Sequence, residues 1–151
     1  MSHSLPTLQR RRAMLGALSA CLGVTLQATV CVADVVVVAG TGSGIAALTK
    51  EQVSDLYLGR STSLPGGGGA ILIDQPDSSP LRDAFYSKVT GKSATQVKST
   101  WAKLSFTGKG TPPKEAAGND DIKRMLANNR NMLGYIDKSA VDGSVKVVYT
   151  P

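Results

Sequence analysis

Cysteine and histidine are almost missing from this 151-residue chain: Cys21, Cys31 and His3 are the only ones, and all lie within residues 1–33. Residues 34–151 therefore carry no disulfide, thiol nucleophile, Ser-His-Asp or Cys-His pairing, His/Cys zinc site or histidine switch. Aromatics are also sparse, with one Trp, four Tyr and two Phe, and they are not interleaved with Lys and Arg. The 14 Lys+Arg and 11 Asp+Glu of residues 34–151 leave a formal +3 spread along the chain. That makes no basic stripe, so nucleic acid is not an expected partner. A phosphate loop of the Walker type is missing too, because Gly91-Lys92-Ser93 has Tyr86 where the upstream glycine belongs. No catalytic residue, metal site or cofactor motif emerges, and an enzyme is not expected. Asp74 and Asp77 could do acid/base work, but no nucleophile stands beside them.

What is present divides at residue 33. Residues 1–33 contain no acid, a basic patch at Arg10, Arg11 and Arg12, an uncharged run over 13–26 and then ATVCVA at 28–33. This is the order of a secretory signal, with the cut expected after Ala33 and Asp34 starting the mature chain. Alternatives stay open, one of them an uncleaved anchor, since residues 13–33 could nearly span a bilayer. Arg11-Arg12 resembles a twin-arginine export signal, and LSAC at 18–21 resembles a lipobox that would leave a lipid on Cys21. Each reading places the domain outside the cytoplasm, in the periplasm or secreted. The remaining 118 residues amount to one domain, 34–151, long enough to bury roughly two-thirds of its unfolded surface.

Within that domain strands and helices alternate. The β-branched run at 35–39 has the character of a strand buried on both faces. Thr49 and Gln52 form a capping box for a helix that carries Val53, Leu56 and Tyr57 and stops at Gly59. A strand at 70–73 follows the glycine-rich loop and ends at Asp74. Ser79 and Pro80 then suit the N-cap and first position of a helix with Leu81, Phe85 and Val89 on one face. Ser93 and Gln96 repeat the capping box ahead of Val97, Trp101 and Leu104. After the loop at 106–113, Asn119 or Asp120 caps a helix bearing Ile122, Met125 and Leu126, and strands follow at 133–136 and 145–149. Strands separated by helices imply a three-layer α/β domain with a mostly parallel sheet.

Two segments have candidate chemistry. A strand followed by GSGIAA at 42–47 fits a relaxed dinucleotide pattern, but the capping box at Thr49 starts the helix too late for it, and a glycine turn is the simpler reading. The segment DQPDSSPLR at 74–82 delivers a strand to a helix N-terminus. There the Ser78 and Ser79 hydroxyls, the Leu81 and Arg82 N–H groups and the Arg82 guanidinium could hold an oxyanion. The bland alternative is a well-capped helix with an exposed arginine, and Asp74 and Asp77 would repel a dianion unless they accept its remaining proton. Trp101 is read as core with its indole N–H on one acceptor, and Lys109 as a turn residue within reach of an anion.

Taken together, LTKEQVSDLYLG at 48–59, SPLRDAF at 79–85, WAKLSFTGKGTPPK at 101–114 and LGYID at 133–137 resemble the phosphate-binding proteins of ABC transporters. They resemble more closely the small secreted relatives that amount to little more than one lobe. The resemblance spans nearly all of residues 35–149 and implies one lobe of a type II periplasmic-binding-protein fold. In the full-length binders the segment matching 74–82 holds an arginine and a Ser-Gly-Thr turn that donate to phosphate. Here the arginine's place falls near Asp74 or Gln75 and the turn reads Asp77-Ser78-Ser79-Pro80, so Ser78, Ser79 and Arg82 are what carries over. The opposing lobe has no counterpart, and a single lobe would offer a shallow, solvent-screened site.

Two functions follow from this. One is capture of phosphate or a related oxyanion, linked to phosphate transport and a membrane transporter partner. The other is an envelope protein-protein interaction module that keeps the fold without a ligand. A homodimer pairing two lobes face to face would rebuild a cleft.

Overall fold

The computed structural model describes residues 33–151. The basic patch, the uncharged run and Cys21 lie outside the described residues. The elements are β1 (Val35–Gly40), α1 (Lys50–Tyr57), β2 (Ile71–Asp74), α2 (Pro80–Thr90), α3 (Ala94–Phe106), β3 (Lys114–Glu115), α4 (Asn119–Ala127), β4 (Met132–Asp137) and β5 (Val145–Tyr149), with a 3-10 turn at Lys138–Ala140. Among these residues no helix is long and apolar enough to cross a membrane.

The three layers follow from the side-chain alternation of β1. Val35, Val37 and Ala39 point to one face of the sheet, where they pack with residues of α1, α2 and α3. Val36 and Val38 point to the other and meet Ile122 and Leu126 of α4. Every residue of β1 is buried, as expected of a strand covered on both sides.

The α/β class and the layering match the sequence expectation, but the sheet is mixed rather than mostly parallel. Its order is β3-β2-β4-β1-β5. Strand β2 pairs parallel with β3 and with β4, whereas β1 is antiparallel to both β4 and β5. Four strands thus run one way and β1 is inserted against them. A valine run buried on both faces looks the same in either direction, so periodicity could not reveal the reversal. Residues 138–144 take the chain back along β1 to start β5, with Ala140 and Val141 packed on the α4 face. This crossover needs no full helix.

Local signals account for most helix ends. Both capping boxes form, with Thr49 and Ser93 accepting from Gln52 N and Gln96 N and each glutamine reaching back to its cap. Gly91 closes α2 in the left-handed region at φ 68°. Two expectations need correction. Gly118, not Asn119 or Asp120, caps α4, because the Asn119 side-chain carbonyl accepts from Gln75 Nε2 at 2.9 Å. Strand β3 follows directly on the expected loop at 106–113, where no element was expected; with two exposed residues it has no apolar pattern to announce it.

Candidate functional site

The strand-to-helix junction from β2 to α2 is organised around Asp74, the last residue of β2, which is buried. Its Oδ1 accepts from Gln75 N at 2.9 Å and from the Tyr135 hydroxyl. Its Oδ2 accepts from Arg82 Nε at 3.1 Å and from the Tyr86 hydroxyl at 2.8 Å. Four donors on one carboxylate satisfy a charge that burial would otherwise make costly. Tyr86 and Arg82 come from α2 and Tyr135 from β4, so the carboxylate ties helix to sheet.

Around it the aromatic side chains form one cluster. Phe85 stacks on Tyr135 with ring centroids 3.9 Å apart, and Tyr57 meets Phe85 edge-on at 4.8 Å. The Tyr57 hydroxyl lies 3.0 Å from Ile73 O and 3.2 Å from Leu133 O. Burial, followed by the nearby Asp74 charge, pushes the hydroxyls of Tyr57, Tyr86 and Tyr135 well above the ordinary tyrosine range. They remain neutral donors at any physiological pH.

Arg82 turns from this buried anchor toward the surface. Its Nη1 lies 2.7 Å from Asp77 Oδ1, and Asp77 Oδ2 pairs with Lys98 Nζ of α3. Burial opposes the Arg82 charge, but Asp74, Tyr86 and Asp77 together outweigh it and hold the guanidinium above its usual pKa. Lys98, then Arg82, hold the exposed Asp77 carboxyl below the usual range. The chain Asp74, Arg82, Asp77, Lys98 balances two anions with two cations.

The sequence-derived donors lie on the outer side of this anchor. Ser78 is exposed and Ser79 half-buried, on a turn closed by Ser79 N donating to Pro76 O at 2.9 Å. Ser79 occupies the N-cap of α2, but its hydroxyl makes no capping bond. Pro80 has no N–H, and Arg82 N donates to Ser79 O at 3.1 Å. Leu81 N–H is thus the first-turn donor without a backbone acceptor, and the Arg82 side chain has Nε and Nη1 already engaged. Ser78 and Ser79 lie on the outer rim of the turn, whereas Leu81 packs into the core and Arg82 is buried beneath the turn as a brace. Among the described residues, no group of three or more His, Cys, Asp or Glu is placed to hold a metal ion. Sequence reasoning missed Tyr86 and Tyr135 as partners of Asp74. Their hydroxyls stand on faces that helical and strand periodicity could read only as apolar core.

No protein-family model matches the chain, and no curated protein matches it. Solved structures do. One from Clostridium perfringens, assigned to the phosphate ABC transporter substrate-binding proteins and determined with bound phosphate, is 26% identical with a TM-score of 0.61, covering 76% of this chain and 44% of that one. A second, an ABC-type phosphate transport receptor from Vibrio cholerae, is 20% identical with a TM-score of 0.60, covering 76% of this chain and 45% of that one. The chain spans less than half the length of either protein. Its five-stranded α/β domain is similar to part of the phosphate-binding proteins of ABC transporters.

Proposed function

We propose that this chain is a solute-binding-like protein of the periplasm or the secreted space, which takes phosphate or a related oxyanion at the N-terminus of α2 in connection with phosphate transport. The observation that carries the reading is the Ser79 N-cap with its hydroxyl left free of the helix it heads. Ser78, Ser79 and Leu81 N–H supply the donors, and the helix dipole favours an anion there. The fold's similarity to a protein determined with phosphate supports the choice of ligand. Arg82 acts as a brace that fixes the turn through Asp74 and Asp77, with its charge largely spent. Asp77 at the rim accepts the proton of a monoprotonated oxyanion and rejects a fully ionised one. Affinity is modest because the rim is open to solvent. Export follows from residues 1–33, with cleavage after Ala33.

A second reading is favoured by one feature of the same site. The two cations near the turn are already matched by two carboxylates, which suits an interaction module of the envelope that has no need of an anion. Titration calorimetry with phosphate, with sulfate as control, separates the two. Saturable heat that is lost in the Ser78→Ala/Ser79→Ala double variant supports the binder. The absence of heat up to millimolar phosphate in folded protein moves the function to a protein partner or to a dimer that rebuilds the cleft.

A further inference from the structure

A cavity of about 500 Å³ opens beside the start of β2, and none of residues 74–82 lines it. Leu56, Ile71, Leu72 and Trp101 form its apolar wall, Lys109 and Lys114 are its two charged residues, and no Asp or Glu belongs to the lining. It exists because β3 begins only at Lys114, opposite Ile73, so that Ile71 and Leu72 have no neighbour in β3. The volume is within the range of small-molecule sites, about 300–1,000 Å³.

The walls are fixed. The Trp101 indole N–H donates to Tyr57 O at 2.9 Å, and two glycines let backbone close onto the ring. A Cβ on Gly59 would lie 3.0 Å from Trp101 Cη2, and one on Gly110 would lie 3.1 Å from Cζ3. The turn that presents Lys109 is held where Lys109 N donates to Leu104 O at 2.8 Å, after Gly108 at φ 66°. Lys114 is held by the β3 pairing. Both lysines are exposed, and neither belongs to any ion pair among the described residues.

An apolar wall under two unneutralised cations is a poor match for inorganic phosphate, which would face carbon on one side. It matches a molecule with one apolar and one anionic end. We infer that this cavity is a second ligand site, independent of the α2 rim, for a small organic anion with an aromatic or aliphatic body. The body lies against Trp101, Leu56, Ile71 and Leu72, and the acidic group is met by Lys109 and Lys114.

Trp101 is the only tryptophan of the chain, so its emission reports on the cavity directly. The probes are 3-phenylpropionate and its neutral counterpart 3-phenyl-1-propanol. The acid is expected to change the emission saturably and to bind about five- to tenfold more tightly than the alcohol, as two exposed cations allow. The Lys109→Ala/Lys114→Ala double variant should erase that preference while leaving the alcohol's affinity and the thermal melt unchanged. Ser78→Ala/Ser79→Ala should leave the acid's binding intact, which separates this site from the phosphate rim. Equal binding of acid and alcohol, a preference that survives loss of both lysines, or no saturable change up to the solubility of the acid would each overturn the inference.

Discussion

Arg82 Nε lies 3.1 Å from Asp74 Oδ2 across the junction of β2 and α2, with both side chains about nine-tenths buried. The pair positions the Ser78-Ser79 turn. Arg82→Ala leaves the Asp74 carboxylate buried without its guanidinium and is expected to destabilise the fold by about 3 kcal/mol. Tyr86→Phe removes one donor from the same carboxylate, at a cost of about 1.5 kcal/mol. The two losses should not add, because both act on Asp74. Urea denaturation of the two single variants and the double variant measures each term and the coupling.

Gly59 and Gly91 have nearly the same backbone conformation, φ 70° and φ 68°, in different surroundings. A Cβ at Gly91 meets nothing within 4 Å, whereas at Gly59 it would lie 2.5 Å from Leu104 Cδ1 and against the Trp101 ring. Gly91→Ala should therefore cost only the left-handed strain, about 1 kcal/mol, and Gly59→Ala about 1–3 kcal/mol more for overpacking. Thermal melts of the two variants, with Trp101 emission for Gly59→Ala, test the difference. Equal losses would contradict the packing at Trp101.

Stability should be flat from about pH 5 to 8, since residues 33–151 contain neither His nor Cys to titrate in that interval. On the acid side, Lys98 and then Arg82 lower Asp77, the Ser139 hydroxyl lowers Asp137, and the Ser144 hydroxyl followed by Lys123 lowers Asp142, each from an ordinary value of 3.8. Folded values below the unfolded one mean that these carboxylates stabilise the fold above pH 3.8 and lose that contribution as pH falls through their folded values. On the alkaline side the sign reverses. Tyr57, Tyr86 and Tyr135 have folded values raised from 10, so the unfolded chain ionises first and stability falls as pH rises past 10. Phenolate absorbance followed against pH should show these three hydroxyls appearing only with unfolding. Their ionisation in folded protein would contradict the burial of the cluster.

The sequence was most informative where a local signal acts alone. The Thr49 and Ser93 capping boxes, Pro80 at the start of α2 and the buried run of β1 are each settled by a few neighbouring residues, and all form where expected. Direction and partnership were not legible. Nothing in the valines of β1 says that the strand runs against β4 and β5, and nothing in Asn119 says that Gln75 will take the carbonyl a cap would use. The candidate turn was legible as a turn, but the role of Arg82 was not. Whether its guanidinium faces a ligand or braces the turn depends on Tyr86, Tyr135 and Asp77, which only the fold assembles around it.

Oxyanion capture by Ser78, Ser79 and the Leu81 N–H is read out residue by residue in an amide NMR titration of the protein with phosphate. Saturable shifts are expected, largest at Ser78, Ser79 and Leu81, with smaller ones along the first turn of α2 and none at Lys109 or Trp101. An unchanged spectrum up to millimolar phosphate, or shifts confined to residues remote from the α2 N-terminus, would contradict it.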